Sequence, residues 1–159
     1  MSAIEIKSDE VIYFAYGTLL EMDEIQKYCP TAESLGVFRL KGYRLGFAAC
    51  GPDPSSGGCT LVEDLGNTMY GVLYKMPSKE RQILDKASGY DTGLWTKLDI
   101  NLLDDNDNIV PANTSVIPNP SGAHAPTDSY TRPILSGAKS IPLPADYIAQ
   151  LEAVIRDAS

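Results

Sequence analysis

The chain has 159 residues, 43% of them hydrophobic, and we expect a single domain spanning residues 1–159 around one sizeable core. Its 21 acidic and 13 basic side chains give a formal net charge of −8, which argues against nucleic acid or an anionic membrane surface as a partner, because both attract clustered Lys and Arg. Thirteen Gly and eleven Pro indicate many turns, which favours strands over a helical bundle.

The cysteines give the first indication of the compartment. Cys29, Cys50 and Cys59 form no CxxC pair, and an odd number of them predicts neither a disulfide framework nor a zinc site. The amino-terminal residues lack the apolar run of a signal peptide, and the sequence has no apolar stretch of about 18 residues. We therefore expect a soluble protein of a reducing, cytoplasmic compartment.

The first third of the chain has the pattern of short strands. Val11 to Ala15 is β-branched and aromatic, which predicts a buried strand, and it ends abruptly at Tyr16-Gly17-Thr18. Met22 to Tyr28 fits a short helix. Two further strands are predicted over Leu35 to Leu40 and over Tyr43 to Ala48.

A loop is predicted next, because Gly51 to Gly58 consists of Gly, Pro, Ser and Asp. Strand patterns resume at Cys59 to Glu63 and at Met69 to Lys75, and Gly66-Asn67 is a plausible turn between them.

A helix is predicted after these strands, with Ser78 as its cap and Gly89 near its end. The stretch Leu94 to Leu103 alternates between apolar and polar residues, so it should be a strand with one buried face. Asp104 to Asn108 is a polar turn, and Ile109 to Ile117 can return as the partner strand.

The last part of the chain combines a long loop with a helix. Pro118 to Ser129 contains the only histidine, His124, which we interpret as an exposed loop residue because the partners of a nucleophilic triad are missing. From Pro144 onward, apolar residues recur at helical spacing, at Ile148, Leu151 and Ile155. About seven strands and two or three helices predict an α+β fold, a mixed and mainly antiparallel barrel or sheet with peripheral helices.

A run of oxygen-bearing side chains resembles the start of a calcium loop. It consists of Asp104, Asn106 and Asn108. An EF-hand needs Gly at its sixth position and Glu at its twelfth, where this chain has Ile109 and Ser115. The mismatch favours a hairpin turn.

The segment from Tyr13 to Leu20 carries the most chemical information. Gly17 allows the backbone to turn where a Cβ would obstruct it, and consecutive N–H groups at such a turn can converge on an anion. Taken alone, a strand followed by Tyr-Gly-Thr also fits an ordinary junction between a strand and a loop.

Together with other motifs, this segment resembles the gamma-glutamylcyclotransferase family, whose amino-terminal signature is of the YFAYGSN type. The further matches follow in the family's order and cover nearly the whole chain: Glu63 to Met76 before and in the central strand, the pair Leu84-Asp85 in the next helix, Gly93-Leu94-Trp95 before the next strand, and Tyr130 to Pro144 with its Gly-Ala and Leu-Pro.

The resemblance implies the family's fold and its reaction. In those enzymes the α-amino group of a gamma-glutamyl amine or amide attacks the γ-carbonyl and releases 5-oxoproline and a free amine. One glutamate moves the proton, and no metal or organic cofactor is implied. The expected partner is a small-molecule substrate, and a monomer or small homo-oligomer is plausible at this size.

The resemblance also implies a binding pocket. The glutamyl carboxylate and amine would be held at the exit of the first strand, through the backbone N–H groups of Gly17 and Thr18, and a tyrosine from a late strand would complete the pocket. The residues carried over are Tyr13, Phe14, Ala15, Tyr16, Gly17, Thr18 and Tyr130.

The position of the proton-transfer glutamate departs from the family pattern. The family has Leu-Asp-x-x-Glu, whereas this chain has Leu84-Asp85-Lys86-Ala87-Ser88, so Ser88 stands where the glutamate is expected. An unactivated serine is far too weak a base for an ammonium near neutral pH. Another carboxylate could reach the same place, and Asp91 is the first candidate, ahead of Asp85 and Glu63, although Asp91 also fits an ordinary turn aspartate.

Two other interpretations remain open. The pocket could serve a different ring closure, hydrolysis or elimination, with Ser88 orienting a substrate or a water, because fold alone does not determine reaction. Alternatively, the protein could be a ligand-binding pseudoenzyme that keeps the pocket without turnover.

Overall fold

The structure is a computed structural model that describes residues 5–49, 57–87, 95–118, 120 and 122–158. Several predicted features lie outside these residues. They are Cys50, most of the loop predicted over residues 51–58, Ser88, the helix end at Gly89, Asp91 and the Gly93-Leu94 motif.

Within the described residues, the α+β class is confirmed as an antiparallel sheet with helices outside it. The sheet has the order β1-β3-β2-β4-β5, and the short β6 pairs with β2. The strands are β1 (Glu10–Ala15), β2 (Glu33–Ala49), β3 (Gly57–Pro77), β4 (Thr96–Leu103), β5 (Ile109–Val116) and β6 (Gly122–Ala123), and the helices are α1 (Met22–Ile25), α2 (Ser78–Ala87), α3 (Asp128–Ser140) and α4 (Ala145–Ala158).

The two longest strands, β2 and β3, were each predicted as a pair of shorter strands. Lys41 faces Thr68 in their ladder, and Tyr43 then faces Glu63, so residues 64–67 bulge out opposite a single residue. The predicted turn at Gly66-Asn67 is therefore wrong, because the chain bulges there and continues along the same partner. The Asn67 amide donates to the Tyr43 carbonyl (2.7 Å) and helps to hold the bulge.

The two edge strands of the sheet, β1 and β5, approach each other without forming a strand pair. Thr114 Oγ1 donates to the Phe14 carbonyl, and the Tyr16 hydroxyl donates to the Ser115 carbonyl, both at 2.7 Å. The word barrel is therefore only loosely correct. Side chains bridge the edges of β1 and β5, whereas backbone ladders join the other strands of the order.

The predicted β4–β5 hairpin is confirmed, including its alternation. Ile100 and Leu102 are buried, whereas Asp99 and Asn101 on the opposite face are exposed. The α4 helix is also confirmed, with Leu151 buried. None of the described helices is both long and apolar enough to cross a membrane.

The residues that resembled a calcium loop form the turn of this hairpin, as predicted. The carboxylate of Asp104 accepts the backbone N–H groups of Asn106 and Asn108, each at 2.9 Å. Arg39 donates to the Asp104 carbonyl and to Asp107, which has the positive φ of a tight turn. The Asp104 side chain therefore caps the turn.

The α3 helix was not predicted, and it places Tyr130 in its first turn. The expectation that Tyr130 comes from a late strand is wrong. Thr127 caps the helix by accepting the Tyr130 N–H, and Ile134 and Ala138 bury one face of the helix in the core. Pro133 lies within the helix and lowers its intrinsic propensity, so burial of the apolar face stabilises a helix that the local sequence disfavours.

Candidate functional site

A cavity of about 270 Å³ opens at the carboxyl end of β1. The exit turn of β1, the start of β3, the last residue of α2 and the first turn of α3 meet there, and Trp95 before β4 and a residue of β5 complete the wall. The lining residues are Tyr13, Tyr16, Gly17, Thr18, Leu19, Gly57, Cys59, Ala87, Trp95, Ser115 and Tyr130.

Five of the residues predicted to bind substrate lie in this lining, although Tyr130 is more than 100 residues from the others in sequence. The remaining two, Phe14 and Ala15, are fully buried in the core outside it. Two larger hollows, of about 460 and 520 Å³, contain none of the seven predicted binding residues. The predicted residues therefore point to the small cavity.

Tyr130 is held in the cavity wall by the beginning of β3. Its hydroxyl accepts the backbone N–H of Cys59 (2.8 Å) and donates toward the Cys59 sulfur (3.4 Å). Burial, together with the neighbouring thiol, raises the pKa of Tyr130 far above its usual range, so this hydroxyl stays protonated. A Cβ on Gly58 would clash with the Tyr130 hydroxyl, so a larger residue at position 58 would require the tyrosine ring to move.

The exit turn of β1 packs on the same cysteine. A side chain at Gly17 would clash with the Cys59 sulfur, and the nearby backbone N–H of Thr18 lowers the pKa of that thiol, a smaller effect than that of burial. Burial raises the pKa of the Cys59 thiol. The Thr18 N–H that we expect to hold a carboxylate thus lies near a sulfur, which is a weak acceptor and leaves this donor available to a stronger one.

The opposite wall is fixed by hydroxyl groups. Tyr16 donates to the carbonyl of Ser115, which itself lines the cavity. Beside it, Thr60 Oγ1 accepts the backbone N–H of Ile117 at 3.0 Å, so that β3 and the chain after β5 are joined. These bonds position Ser115 relative to the exit turn.

The carboxyl end of α2 reaches the cavity through Ala87. Ser88 and Asp91, the predicted proton-transfer positions, follow directly in the chain and lie outside the described residues. Asp85 is held by Arg81 Nε (2.8 Å) and Lys97 Nζ (3.2 Å) and does not line the cavity. Glu63 is exposed on β3 opposite Tyr43 and lies outside the lining as well. Every described lining residue has an uncharged side chain.

Six lining residues were not assigned to the site from sequence, namely Leu19, Gly57, Cys59, Ala87, Trp95 and Ser115. A usable signal existed for Gly57, since the pair Gly57-Gly58 stands at the start of a strand, where glycines mark a close approach of other groups. Trp95 was part of a family motif but was not assigned to the site. Cys59 and Ser115 have no local signal, because their role comes from contacts made across the sheet.

The fold is that of gamma-glutamylcyclotransferase-like proteins. The family model described as the AIG2-like family matches residues 68–151, more than half of the chain, and the chain belongs to this family.

Similar proteins agree with this assignment. The human gamma-glutamylcyclotransferase is 26% identical over 150 residues, which cover 92% of this chain and 79% of that protein. A solved structure named gamma-glutamyl cyclotransferase has a TM-score of 0.81 at 26% identity and covers 91% of this chain and 87% of its own. The crystal structure of an uncharacterised human protein has a TM-score of 0.82 at 25% identity, with coverages of 92% and 88%.

Proposed function

We propose that this chain is an enzyme of the gamma-glutamylcyclotransferase type, acting on a small gamma-glutamyl amine or amide in the cavity at the end of β1. The observation that supports this most is the convergence of the Tyr16-Gly17-Thr18 turn, Tyr130 and the end of α2 on one cavity. The names of the similar proteins favour the same reaction class.

The chemistry of the lining suits an amino-acid headgroup. Gly17 and Thr18 line the cavity, and their backbone N–H groups can donate to a carboxylate bound at the exit turn. The protonated Tyr130 hydroxyl can donate to a carboxylate or carbonyl oxygen. A volume of about 270 Å³ suits a ligand smaller than a typical drug molecule.

In the proposed reaction, the α-amino nitrogen forms a bond to the γ-carbon, and the bond from that carbon to the leaving amine breaks. The attacking ammonium loses a proton, and the leaving nitrogen gains one, so no oxidant or further reactant is needed. Holding the two groups in attack geometry can lower the activation free energy by about 7–11 kcal/mol. The cavity walls would perform this part of the work.

The remaining requirement is a group that moves the proton. We propose Asp91 for this role, with Ser88 orienting the substrate or a water beside it, because both follow Ala87, which lines the cavity. A positioned acid–base group contributes about 10²–10⁴-fold to a rate.

The test is incubation of the purified protein with gamma-glutamyl dipeptides and gamma-glutamyl amines, followed by detection of 5-oxoproline. We expect turnover by the wild type, loss of about 10²–10⁴-fold in Asp91→Asn, and little change in Asp105→Asn, an exposed aspartate of the distant β4–β5 turn. Turnover that survives in Asp91→Asn would contradict the role of Asp91, and silence of the wild type on every substrate would contradict the proposed reaction.

Ligand binding without turnover is the second candidate, favoured by the uncharged lining and by the separate location of Asp85 and Glu63. Under this proposal, the wild type and Ser88→Glu both lack turnover, and a gamma-glutamyl dipeptide raises the melting temperature. Turnover gained by Ser88→Glu would instead indicate a glutamyl pocket that lacks only its acid–base group. If neither turnover nor binding is found, the substrate belongs to a different class, and the pocket serves another reaction.

A further inference from the structure

Arg81 in α2 is a buried arginine whose guanidinium contacts three elements around the cavity. Only 2% of the residue is exposed. Its Nε donates to Asp85 Oδ1 (2.8 Å) within α2, and its Nη1 donates to the side-chain oxygen of Asn113 in β5 (2.6 Å). Its central carbon lies 4.6 Å from the centroid of the Tyr13 ring in β1.

Two of the residues that Arg81 contacts line the cavity or lie close in sequence to a residue that does. Tyr13 lines the cavity itself, and Asp85 lies two residues before Ala87, which also lines it. The second oxygen of Asp85 is paired with Lys97 Nζ in β4 at 3.2 Å, so the end of α2 is also held from a fourth element. A planar guanidinium can stack on a ring and donate in two directions at once, which a lysine ammonium cannot do in the same geometry.

We propose that Arg81 is a positioning residue that sets the distance between Tyr13 and the carboxyl end of α2. It touches neither the cavity nor a bound ligand and acts through the residues that do. The purpose of this distance rests on the proposed function: it places Ala87, the last residue of α2, relative to a headgroup held at the exit turn. A misplacement of about 1 Å can lower a rate by about 10²-fold.

The central variant is Arg81→Lys. It keeps the positive charge but loses the planar guanidinium that bonds Asp85 and Asn113 together and lies over the Tyr13 ring. We expect kcat for 5-oxoproline formation to fall about ten- to hundredfold, whereas KM changes much less, because the Tyr130 hydroxyl is held by the Cys59 N–H of β3 and not by Arg81. The matched control is Arg39→Lys. Arg39 also donates to a carbonyl and a carboxylate, but at the far turn of the β4–β5 hairpin, with no partner in the cavity lining. Assays are run well below the melting temperature of both variants.

A second pair of variants changes the partner instead of the arginine. Asn113→Leu removes the acceptor of Arg81 Nη1, whereas Asn113→Asp keeps an acceptor there. We expect kcat to fall in the leucine variant and to be largely retained in the aspartate variant. Equal losses in the two variants, or equal effects of Arg81→Lys and Arg39→Lys, would overturn the proposal.

A readout that needs no turnover separates this proposal from the proposed function. In Arg81→Lys, amide hydrogen exchange should become faster in peptides covering residues 10–18 and 78–87 than in Arg39→Lys, and acrylamide should quench the fluorescence of Trp95, the single tryptophan, more strongly. If the wild type is inactive but these changes occur, the reaction is wrong and the positioning role stands. If neither readout changes, the positioning role is wrong whatever the activity.

Discussion

The Tyr130 hydroxyl accepts the Cys59 backbone N–H at 2.8 Å, which joins the first turn of α3 to the start of β3 in the cavity wall. Tyr74 offers a matched case elsewhere, since its buried hydroxyl donates to the Leu20 carbonyl at 2.7 Å. In each case, removal of the hydroxyl leaves a backbone group without its tyrosine partner.

We expect Tyr130→Phe and Tyr74→Phe to lower the free energy of unfolding by similar amounts, about 1–3 kcal/mol each, measured by chemical denaturation. Only Tyr130→Phe should also reduce the rise in melting temperature caused by a gamma-glutamyl dipeptide, because Tyr74 lies outside the small cavity. A full ligand response in Tyr130→Phe, or an equal loss in both variants, would contradict this assignment.

Gly58 and Tyr130 are predicted to be energetically coupled. A Cβ at position 58 would clash with the tyrosine hydroxyl, so Gly58→Ala should destabilise the protein and displace the ring. In the Tyr130→Phe background the hydroxyl is gone, and Gly58→Ala should cost less. Denaturation of the two single variants and the double variant gives the coupling energy. Additive effects would mean that the two side chains adjust independently.

Asp104 is predicted to make the stability of the β4–β5 turn depend on pH. Hydrogen bonds from Asn108 and Asn106 lower the pKa of Asp104. A lowered pKa in the folded state stabilises the fold above the usual pKa of an aspartate, and this contribution is lost as the pH falls through the lowered value. Asp104→Ala should therefore melt below the wild type at pH 7, and the gap should shrink toward about pH 2.

The neighbouring Asp105 is the control for that experiment, because it is exposed in the same turn. Asp105→Ala should leave the melting temperature nearly unchanged at both pH values. A gap for Asp104→Ala that stays constant with pH would show that the carboxylate charge does not stabilise the turn.

The two described cysteines should be poorly reactive in the native protein. Burial raises the pKa of Cys29 to about 11 and also raises that of Cys59, so both are thiols at pH 8. In a Cys50→Ser background, we expect slow reaction with a disulfide reagent under native conditions and two fast equivalents in guanidinium chloride. One fast equivalent in the native state would indicate that the Cys59 sulfur is reached through the cavity.

Local patterns predicted the parts of the fold that local interactions determine. The β4–β5 hairpin follows from alternation and from Asp104 in its turn, and α4 follows from helical spacing. The continuity of β3 could not be predicted from a local pattern, because the bulge at residues 64–67 depends on the register with β2. The α3 helix was missed since burial of Ile134 outweighs the low propensity of Pro133.

The candidate site divides in the same way. The exit turn at Tyr16-Gly17-Thr18 is one contiguous motif and could be found from sequence. Cys59 contacts Tyr130 from 71 residues away, and that contact exists only after the sheet has formed. The same is true of Arg81, whose partners Tyr13 and Asn113 lie on different strands. These contacting residues are too far apart in sequence to be recognised from any local pattern.

The hydroxyls of Thr114 and Tyr16, which join β1 to β5, have a consequence for how the fold can vary. A backbone ladder uses main-chain atoms that every residue except proline supplies, so substitution rarely disrupts it. Here two side-chain hydroxyls hold β1 and β5 together beside the cavity. A change such as Thr114→Val would weaken this contact while leaving the other strand pairs intact. The spacing of β1 and β5 beside the cavity thus depends on side chains that single substitutions can replace, whereas the neighbouring strand pairs depend on the backbone.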